Sequence, residues 1–161
     1  MTPRIRPLQA SELERALDMW EALMANGAAV EPRWRMAPDA RELMRQWAEV
    51  AWLRAVPFPH AWVAEAGELV GLVTAFPSAD LPMMSAPPSA RIGNLWVEPA
   101  WRGRGVGRRL VQACTEAARE AGYPDVAVAT LTADGRAVSF WRALGFRDWQ
   151  LTLVRGGGGQ G

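Results

Sequence analysis

One stretch of the chain, residues 94–110, constrains the fold more than any other, because strand, turn and helix signals follow one another there without a gap. An apolar run ends at Val97 and is closed by Pro99. Glycines at alternating positions then permit positive backbone φ angles and a close approach of the main chain to a ligand: Gly103, Gly105 and Gly107. Apolar residues recur at helical spacing afterwards, so a helix is predicted to begin near Gly105.

The start of this helix is predicted to attract an anion. Backbone N–H groups at a helix N-terminus lack helical acceptors, and the helix dipole favours negative charge there. Four basic residues reinforce it: Arg102, Arg104, Arg108 and Arg109. The spacing lacks the third glycine of a dinucleotide fingerprint and the lysine of a Walker loop. The residues alone therefore leave two interpretations, a phosphate site and a turn that uses glycine only for its geometry.

The length, net charge and composition of the chain narrow the class of protein. The length of 161 residues fits one domain, predicted over residues 1–155, with a flexible glycine-rich tail at 156–161. A net charge of +1 and 50% hydrophobic residues argue against a nucleic-acid or membrane-surface binder. All 18 basic residues are arginine, which excludes a lysine nucleophile. The single cysteine, the absence of a leader and the absence of a long apolar run predict a cytoplasmic protein.

The periodicity predicts an α+β arrangement of three layers. Its order is strand, helix, helix, three strands, helix, strand, helix and strand, predicted over residues 4–8, 11–27, 39–56, 62–65, 68–76, 90–97, 105–121, 126–132, 136–144 and 146–154. Ser11 is the predicted cap of the first helix, which Asn26 and Gly27 stop. The second helix is predicted to face inward through Leu43, Met44, Trp47, Val50 and Ala51. Residues 77–88 are predicted to be a mobile loop, since prolines disfavour a central strand there.

Two segments resemble motifs of the GNAT acyltransferase superfamily. The acyl-CoA loop of that family reads Gln/Arg-x-x-Gly-x-Gly/Ala after a strand that ends in hydrophobic-x-Val, and Arg102, Gly105 and Gly107 fill it. The later family segment, Asn-x-x-Ala-x-x-x-Tyr-x-x-x-Gly-Phe, is answered by Asp134, Ala137, Trp141, Gly145 and Phe146. Two motifs in the right order are more specific than either alone, and the predicted element order is that of the GNAT fold.

The resemblance implies an acyl-CoA-dependent N-acyltransferase that uses acetyl-CoA and no metal ion. The acceptor would be a primary amine of a small molecule or a peptide N-terminus, and many relatives are homodimers. The implied sheet is mixed and mostly antiparallel, with a splay between its fourth and fifth strands. The implied cofactor-binding residues are Leu95, Trp96 and Val97 for the pantetheine arm, Arg102, Gly103, Arg104, Gly105, Val106, Gly107 and Arg108 for the pyrophosphate, and Asp134 and Trp141 from the second motif.

The sequence departs from this family where proton transfer is expected. Arg91 and Ala129 occupy positions where relatives carry a basic glutamate, so Glu98 is the substitute candidate for the general base. The alternative for Glu98 is an exposed ion pair with Arg102 or Arg104. Glu65, Asp80 and His60 are more remote candidates.

The second motif departs as well. Trp141 replaces the tyrosine that protonates the departing thiolate in relatives, and an indole N–H cannot give up its proton usefully. Packing is the simpler role for Trp141, helix capping for Asp134, and core packing for Cys114. Trp34, Trp52, Met83 and Met84 are candidates for an apolar acceptor site, although Trp52 also fits the core.

These departures keep a second hypothesis open, a non-catalytic acyl-CoA-binding module or degenerate relative. An RNA-binding interpretation of the Arg-Gly elements is disfavoured by the near-neutral charge.

Overall fold

The computed structural model describes residues 1–78 and 87–156. The strands are β1 (Arg4–Pro7), β2 (Ala61–Glu65), β3 (Leu69–Ser78), β4 (Ser89–Val97) and β5 (Asp125–Val128). The helices are α1 (Leu13–Val30), α2 (Ala40–Ala51), α3 (Val106–Glu120) and α4 (Gly135–Ala143). Short 3₁₀ turns at Ala10–Glu12 and Pro99–Trp101 precede α1 and follow β4.

The five strands form one sheet in the order β1-β2-β3-β4-β5. Every neighbouring pair is antiparallel except β4 and β5, which run parallel. Helix α3 and Trp141 of α4 pack on one face around Val73 and Ala75, whereas α1 and α2 pack on the other face around Leu72. The predicted three-layer α+β fold with a mixed, mostly antiparallel sheet is therefore confirmed.

The predicted splay between the fourth and fifth strands is also present. Strand β5 pairs with β4 over only four residues, from Ser89 opposite Asp125 to Ile92 opposite Val128. The rest of β4, residues 93–97, pairs with β3 alone. One sheet edge is therefore open beside the C-terminal half of β4.

Helix α1 differs from its prediction at both ends. Ser11 lies in the 3₁₀ turn before the helix, where the Glu12 carboxylate accepts a hydrogen bond from the Gln9 N–H at 3.0 Å. The helix continues through Asn26 and Gly27 to Val30. A Cβ atom on Gly27 would stand 2.7 Å from the Trp34 ring, so this glycine makes room for an indole against the helix rather than ending it.

The inward face predicted for α2 is confirmed for Met44 and Ala51, which pack against the core, and wrong for the other three residues. Leu43, Trp47 and Val50 are 54%, 47% and 61% exposed, whereas Ala48 and the following Trp52 are buried. Ion pairs with α1 explain why α2 is rotated relative to the predicted orientation, because they hold a polar face of α2 against α1. The pairs join Arg41 to Glu14, Asp18 and Glu21, and Arg45 to Glu14.

The predicted last strand is absent from the part of the chain that the structure describes. Residues 147–156 have no strand partner, and Trp149, Leu151 and Leu153 are exposed. The alternation of these apolar residues suggests a strand, but a strand forms only where another edge offers hydrogen bonds. The fifth strand also ends at Val128 instead of residue 132, and β3 extends through Pro77 to Ser78. Asp80, Met83, Met84 and residues 157–161 of the predicted tail lie outside the described residues.

Candidate active site

The open edge of β4 presents main-chain groups that no neighbouring strand uses. The Glu98 N–H donates to the Val70 carbonyl at 2.9 Å, next to the opposed pair of Gly71 and Val97. In an antiparallel ladder, opposed residues that hydrogen bond to each other alternate with opposed residues whose N–H and C=O groups point away from each other. Val97 and Leu95 therefore direct their N–H and C=O groups away from β3, into the gap left by β5. The segment predicted to meet a pantetheine arm has free donors for it.

A β-bulge marks the point where the gap begins. Asn94 stands opposite Thr74 and Ile92 opposite Ala75, which leaves Gly93 as the extra residue of β4. A Cβ atom at position 93 would lie 3.0 Å from the Phe76 ring and 3.1 Å from the Thr74 hydroxyl oxygen. A bulge bends its strand and increases the local twist. The bulge therefore coincides with the place where β4 turns away from β5.

The turn before α3 exposes a row of backbone donors. Gly103 and Gly105 have φ angles of 72° and 77°, the left-handed region that favours glycine, and nothing lies within 4 Å of a Cβ built on either. The Arg109 N–H donates to the Gly105 carbonyl at 3.1 Å and begins the helical pattern. Among the residues described, the N–H groups of residues 103–108 have no acceptor. This row fits a pyrophosphate, which needs several converging donors.

The arginines of this turn divide into two kinds. The Arg102 Nε donates to the Val97 carbonyl at 2.8 Å, and its guanidinium lies 4.5 Å from the centre of the Trp96 ring. Arg109 donates to the Pro3 carbonyl at 2.7 Å. Arg104 and Arg108 are exposed, with Arg104 5.4 Å from the centre of the Trp101 ring. Arg102 and Arg109 thus brace the turn, whereas Arg104 and Arg108 point their charge to solvent.

The second motif packs directly against the first. A Cβ atom on Gly107 would stand 3.3 Å from the Phe140 ring of α4 and 3.6 Å from a methyl group of Val97. The next residue, Trp141, is buried and makes edge-to-face contacts with Phe140 and Phe146. Packing is therefore the role that the structure shows for Trp141, and its contact with a cofactor stays a prediction.

Asp134 caps α4, as predicted. Its Oδ1 accepts a hydrogen bond from the Ala137 N–H at 3.0 Å. The other oxygen lies 3.4 Å from the Asn26 side-chain nitrogen of α1. The C-terminal part of α1 therefore lies beside the start of α4.

Glu98, the predicted base, has a different ion-pair partner from the two considered. Its carboxylate accepts from Arg15 of α1 at 2.8 Å, not from Arg102 or Arg104. A cavity of about 360 Å³ adjoins this pair and is lined by Arg15, Glu68, Val70, Glu98, Pro99, Ala100 and Trp101. Most of these residues belong to the segment that follows β4, and Glu68 comes from the β2–β3 turn. Glu98 as base stays a prediction, and Arg15 is a partner that sequence reasoning missed.

The remaining titratable candidates are engaged elsewhere. His60 is buried, its Nδ1 lies 3.0 Å from the Ala51 carbonyl oxygen, and burial lowers the pKa of the ring. The Arg6 guanidinium lowers the pKa of Glu65 by hydrogen bonding to it. Cys114 is buried in the core, as predicted, and this burial raises the pKa of its thiol to about 12. The described residues contain no cluster of His, Cys, Asp and Glu that could hold a metal ion.

Several contributors to the site lie far apart in sequence. Arg15 and Glu98 are separated by 83 positions, and Asn26 and Asp134 by 108, so no local pattern joins them. Gly93 was detectable, because an isolated glycine in a strand pattern often marks a bulge.

Comparison with known proteins agrees with this geometry. The model of the acetyltransferase (GNAT) family matches residues 18–146. The rat (Rattus norvegicus) protein N-acetyltransferase 8F1 is 36% identical over 108 residues, which cover 58% of this chain and 46% of that protein. The chain thus spans about half the length of the curated relatives it matches.

Solved structures share the fold over nearly the whole chain. The aminoglycoside 6'-N-acetyltransferase AAC(6')-IG from Acinetobacter haemolyticus superposes with a TM-score of 0.72 at 15% identity, covering 96% of this chain and 97% of that one. The aminoglycoside N-acetyltransferase AAC(6')-Iy, solved in complex with CoA, has a TM-score of 0.67 at 20% identity, covering 97% and 95%. At such identities the likeness establishes the fold. None of the helices in the described ranges is long and apolar enough to cross a membrane.

Proposed function

Since the chain belongs to the acetyltransferase (GNAT) family, we propose that it transfers an acetyl group from acetyl-CoA to the primary amine of a small molecule or a peptide N-terminus. One observation carries the proposal: the free main-chain edge of β4 leads directly into the donor row of residues 103–108. The β4 edge can align a thioester, and the N–H groups of residues 103–108 can hold the diphosphate of the same molecule. AAC(6')-Iy, a protein of the same fold, was solved with CoA.

The residues of the chain supply position and hydrogen bonds. Acetyl-CoA, when bound, provides the acetyl group as an activated thioester. The N–H groups of Leu95 and Val97 face the gap and are available to a thioester oxygen. One such donor contributes on the order of 10²–10³ in kcat when it meets developing negative charge. Holding the amine and the carbonyl carbon together contributes further.

The overall reaction forms one C–N bond and breaks one C–S bond, and the amine must lose a proton. An α-amino group has a pKa of about 7.7–8.0, whereas an alkylamine such as lysine has one of about 10.4. A peptide N-terminus or another weakly basic amine therefore reaches the site unprotonated more often. The thiol of the leaving group has a pKa of about 8.5, so departure as a thiolate is tolerable without a tyrosine at position 141.

Glu98 stays the candidate base, and its ion pair with Arg15 gives it a competing, structural role. Pairing with Arg15 anchors the end of β4 to α1. The carboxylate also borders the cavity beside the β2–β3 turn, whereas the acceptor is expected at the gap. The two roles predict different losses of turnover in variants of Glu98 and Arg15.

Acetyl transfer is tested by following thiol release from acetyl-CoA over a panel of primary amines, with product mass confirmed for each positive. We expect release that depends on the amine and a mass increase of one acetyl group. Tight binding of acetyl-CoA with no product from any amine would instead support the second candidate, a non-catalytic acyl-CoA-binding module. The observations that favour this alternative are the exposed Arg91 and the buried Trp141.

We further propose a cytoplasmic homodimer built from one domain over residues 1–155. The exposed Trp149, Leu151 and Leu153, together with the free edge of β5, support association. Sedimentation equilibrium tests the dimer, cell fractionation tests the location, and limited proteolysis followed by mass analysis tests the domain boundary. A monomer at micromolar concentration would contradict the dimer.

A further inference from the structure

Among the described helices, α2 carries the most exposed large apolar side chains. Leu43 and Trp47 of α2 are 54% and 47% exposed and stand four positions apart, which places them on the same helix face. Solvated helix faces are ordinarily polar, and large exposed apolar patches mark binding sites. This surface, formed by Leu43, Trp47 and the adjoining Phe76, is called the α2 platform here.

The α2 platform is continuous with the gap in the sheet. The rings of Trp47 and Phe76 have centres 5.1 Å apart and planes inclined by 59°. The edge of Phe76 lies 3.0 Å from the position of a Cβ atom on Gly93. Gly93 is the bulge residue that follows the last pair between β4 and β5. An aromatic path of two rings therefore leads from solvent to the start of the free β4 edge.

A second exposed indole lies against the end of α1. Trp34 packs its ring against Gly27 in the last part of α1 and is 43% exposed. The neighbouring Asn26 reaches Asp134 at the start of α4. The end of α1 therefore lies beside the start of α4, which follows β5.

The charge around the α2 platform is mixed. Arg91 stands directly opposite Phe76 in the β3–β4 ladder, so both side chains project from the same sheet face, and Arg91 is exposed. On α2, Glu42 is paired with Arg45, whereas Asp39, four positions before Leu43, is exposed at the start of the helix. An ammonium group beside Phe76 would meet the Arg91 guanidinium, so this face offers apolar contact rather than a cluster of carboxylates.

We propose that the acceptor amine is carried on an aromatic or apolar body that packs on Trp47 and Phe76. This inference rests on the proposed acetyl transfer and names the substrate class for it. An aromatic ring on the α2 platform gains from stacking and from removal of apolar surface from water, whereas a hydroxyl-rich polycation gains neither. The acceptor class therefore differs from the aminoglycosides named for the structural relatives.

The test compares 2-phenylethylamine with propylamine, spermidine and kanamycin as acceptors. We expect the highest kcat/KM for 2-phenylethylamine. Trp47→Ala should raise its KM about tenfold, since an aromatic pair contributes about 0.5–1.5 kcal/mol beyond its buried area. The KM for acetyl-CoA should not change, and the loss for propylamine should be smaller than that for 2-phenylethylamine. Trp47→Phe should restore most of the loss. Trp149→Ala removes an exposed indole from another region and should leave the KM for 2-phenylethylamine unchanged.

A binding measurement separates the two proposals. In a calorimetric titration of 2-phenylethylamine into the CoA-loaded protein, binding that Trp47→Ala weakens supports the α2 platform even if no amine is acetylated, in which case only acetyl transfer fails. Acetylation of kanamycin or spermidine with the highest kcat/KM would leave acetyl transfer standing and overturn the α2 platform. Equal losses for all acceptors in Trp47→Ala, or no binding of 2-phenylethylamine, would overturn it as well.

Discussion

The two halves of β4 have opposite environments. Residues 89–92 are paired on both edges, by β3 and by β5, whereas residues 93–97 are paired on one edge only. The first half has its main-chain bonds satisfied and contributes Ala90 and Ile92 to the core. The second half also carries apolar side chains, such as Leu95 and Val97, but its outer N–H groups stay available, and its Val97 carbonyl accepts from Arg102 rather than from a strand.

The difference shows that this site is made by a missing strand contact rather than by a reactive side chain. Unpaired main-chain groups are costly when buried, so a gap persists only where a ligand or solvent can satisfy them. The Gly93 bulge, the short β5 and the helix start at Gly105 all act on the main chain. Residues 93–97 are called the open half of β4, and variants of the residues around it show how far it depends on the turn, on Arg102 and on Glu98.

The largest expected effect comes from the turn that continues the open half. Gly105→Val should weaken binding of acetyl-CoA about a hundredfold, because a β-branched residue cannot hold a φ of 77° and the donor row of residues 103–108 would rearrange. Isothermal titration calorimetry measures the effect. Gly67→Val is the matched control, since Gly67 has a φ of 81° with equally open surroundings in the β2–β3 turn. Equal losses of affinity in both variants would refute the donor row.

The brace at the end of the open half should show a smaller effect. Arg102→Lys keeps the charge but loses the Nε donor to Val97 and the planar group over Trp96, so we expect about a tenfold rise in the Kd of acetyl-CoA. Arg104→Lys should change it less than about twofold, since Arg104 is exposed and acts through charge. Equivalent behaviour of the two variants would mean that Arg102 also acts by charge alone.

Glu98 tests whether a side chain adds chemistry to the open half. A structural ion pair predicts that Glu98→Gln and Arg15→Gln each lower the free energy of unfolding by no more than about 1 kcal/mol and turnover by about threefold. We expect this pattern, because the carboxylate is already engaged at 2.8 Å. A fall in kcat of about a hundredfold in Glu98→Gln alone, with the acidic limb of the pH profile removed, would identify Glu98 as the base instead.

The smallest effect concerns the closed end of the sheet, where His60 is buried next to Phe58 and Phe76. Burial lowers the pKa of His60 from its ordinary 6.5, so the unfolded chain takes up the proton more readily. The free energy of unfolding should therefore decrease as the pH falls below about 6.5, with a slope of at most one proton.

Urea unfolding at several pH values measures this slope, and His60→Gln should flatten it. Loss of stability at lower pH has a separate source. Arg6 lowers the pKa values of Glu12 and Glu65 from 4.5, so their contribution is lost as the pH falls below that value. A slope near pH 6 that persists in His60→Gln would show that the buried ring is not its cause.

Much of the candidate site could be predicted from the sequence, because its features depend on residues that are adjacent in the chain. The glycine turn, the start of α3 near Gly105 and the Asp134 cap each depend on a few adjacent residues. The fold class followed from the order of periodic segments and from the resemblance of two motifs. The predictions that proved wrong depend on distant partners. The face of α2 turned outward because Arg41 and Arg45 pair with α1, and residues 147–156 found no strand edge in the described chain.

The sequence by itself determined where the chain bends, where α3 begins and which main-chain groups near Gly103 and Gly105 are free, since backbone φ preferences and helix-end hydrogen bonding are properties of neighbouring residues. Only the tertiary structure decided that Glu98 pairs with Arg15. It also decided that Trp47 is exposed to solvent and packs against Phe76. Those contacts join residues far apart in the chain. Their choice of partner depends on how the helices settle on the sheet, which no local pattern encodes.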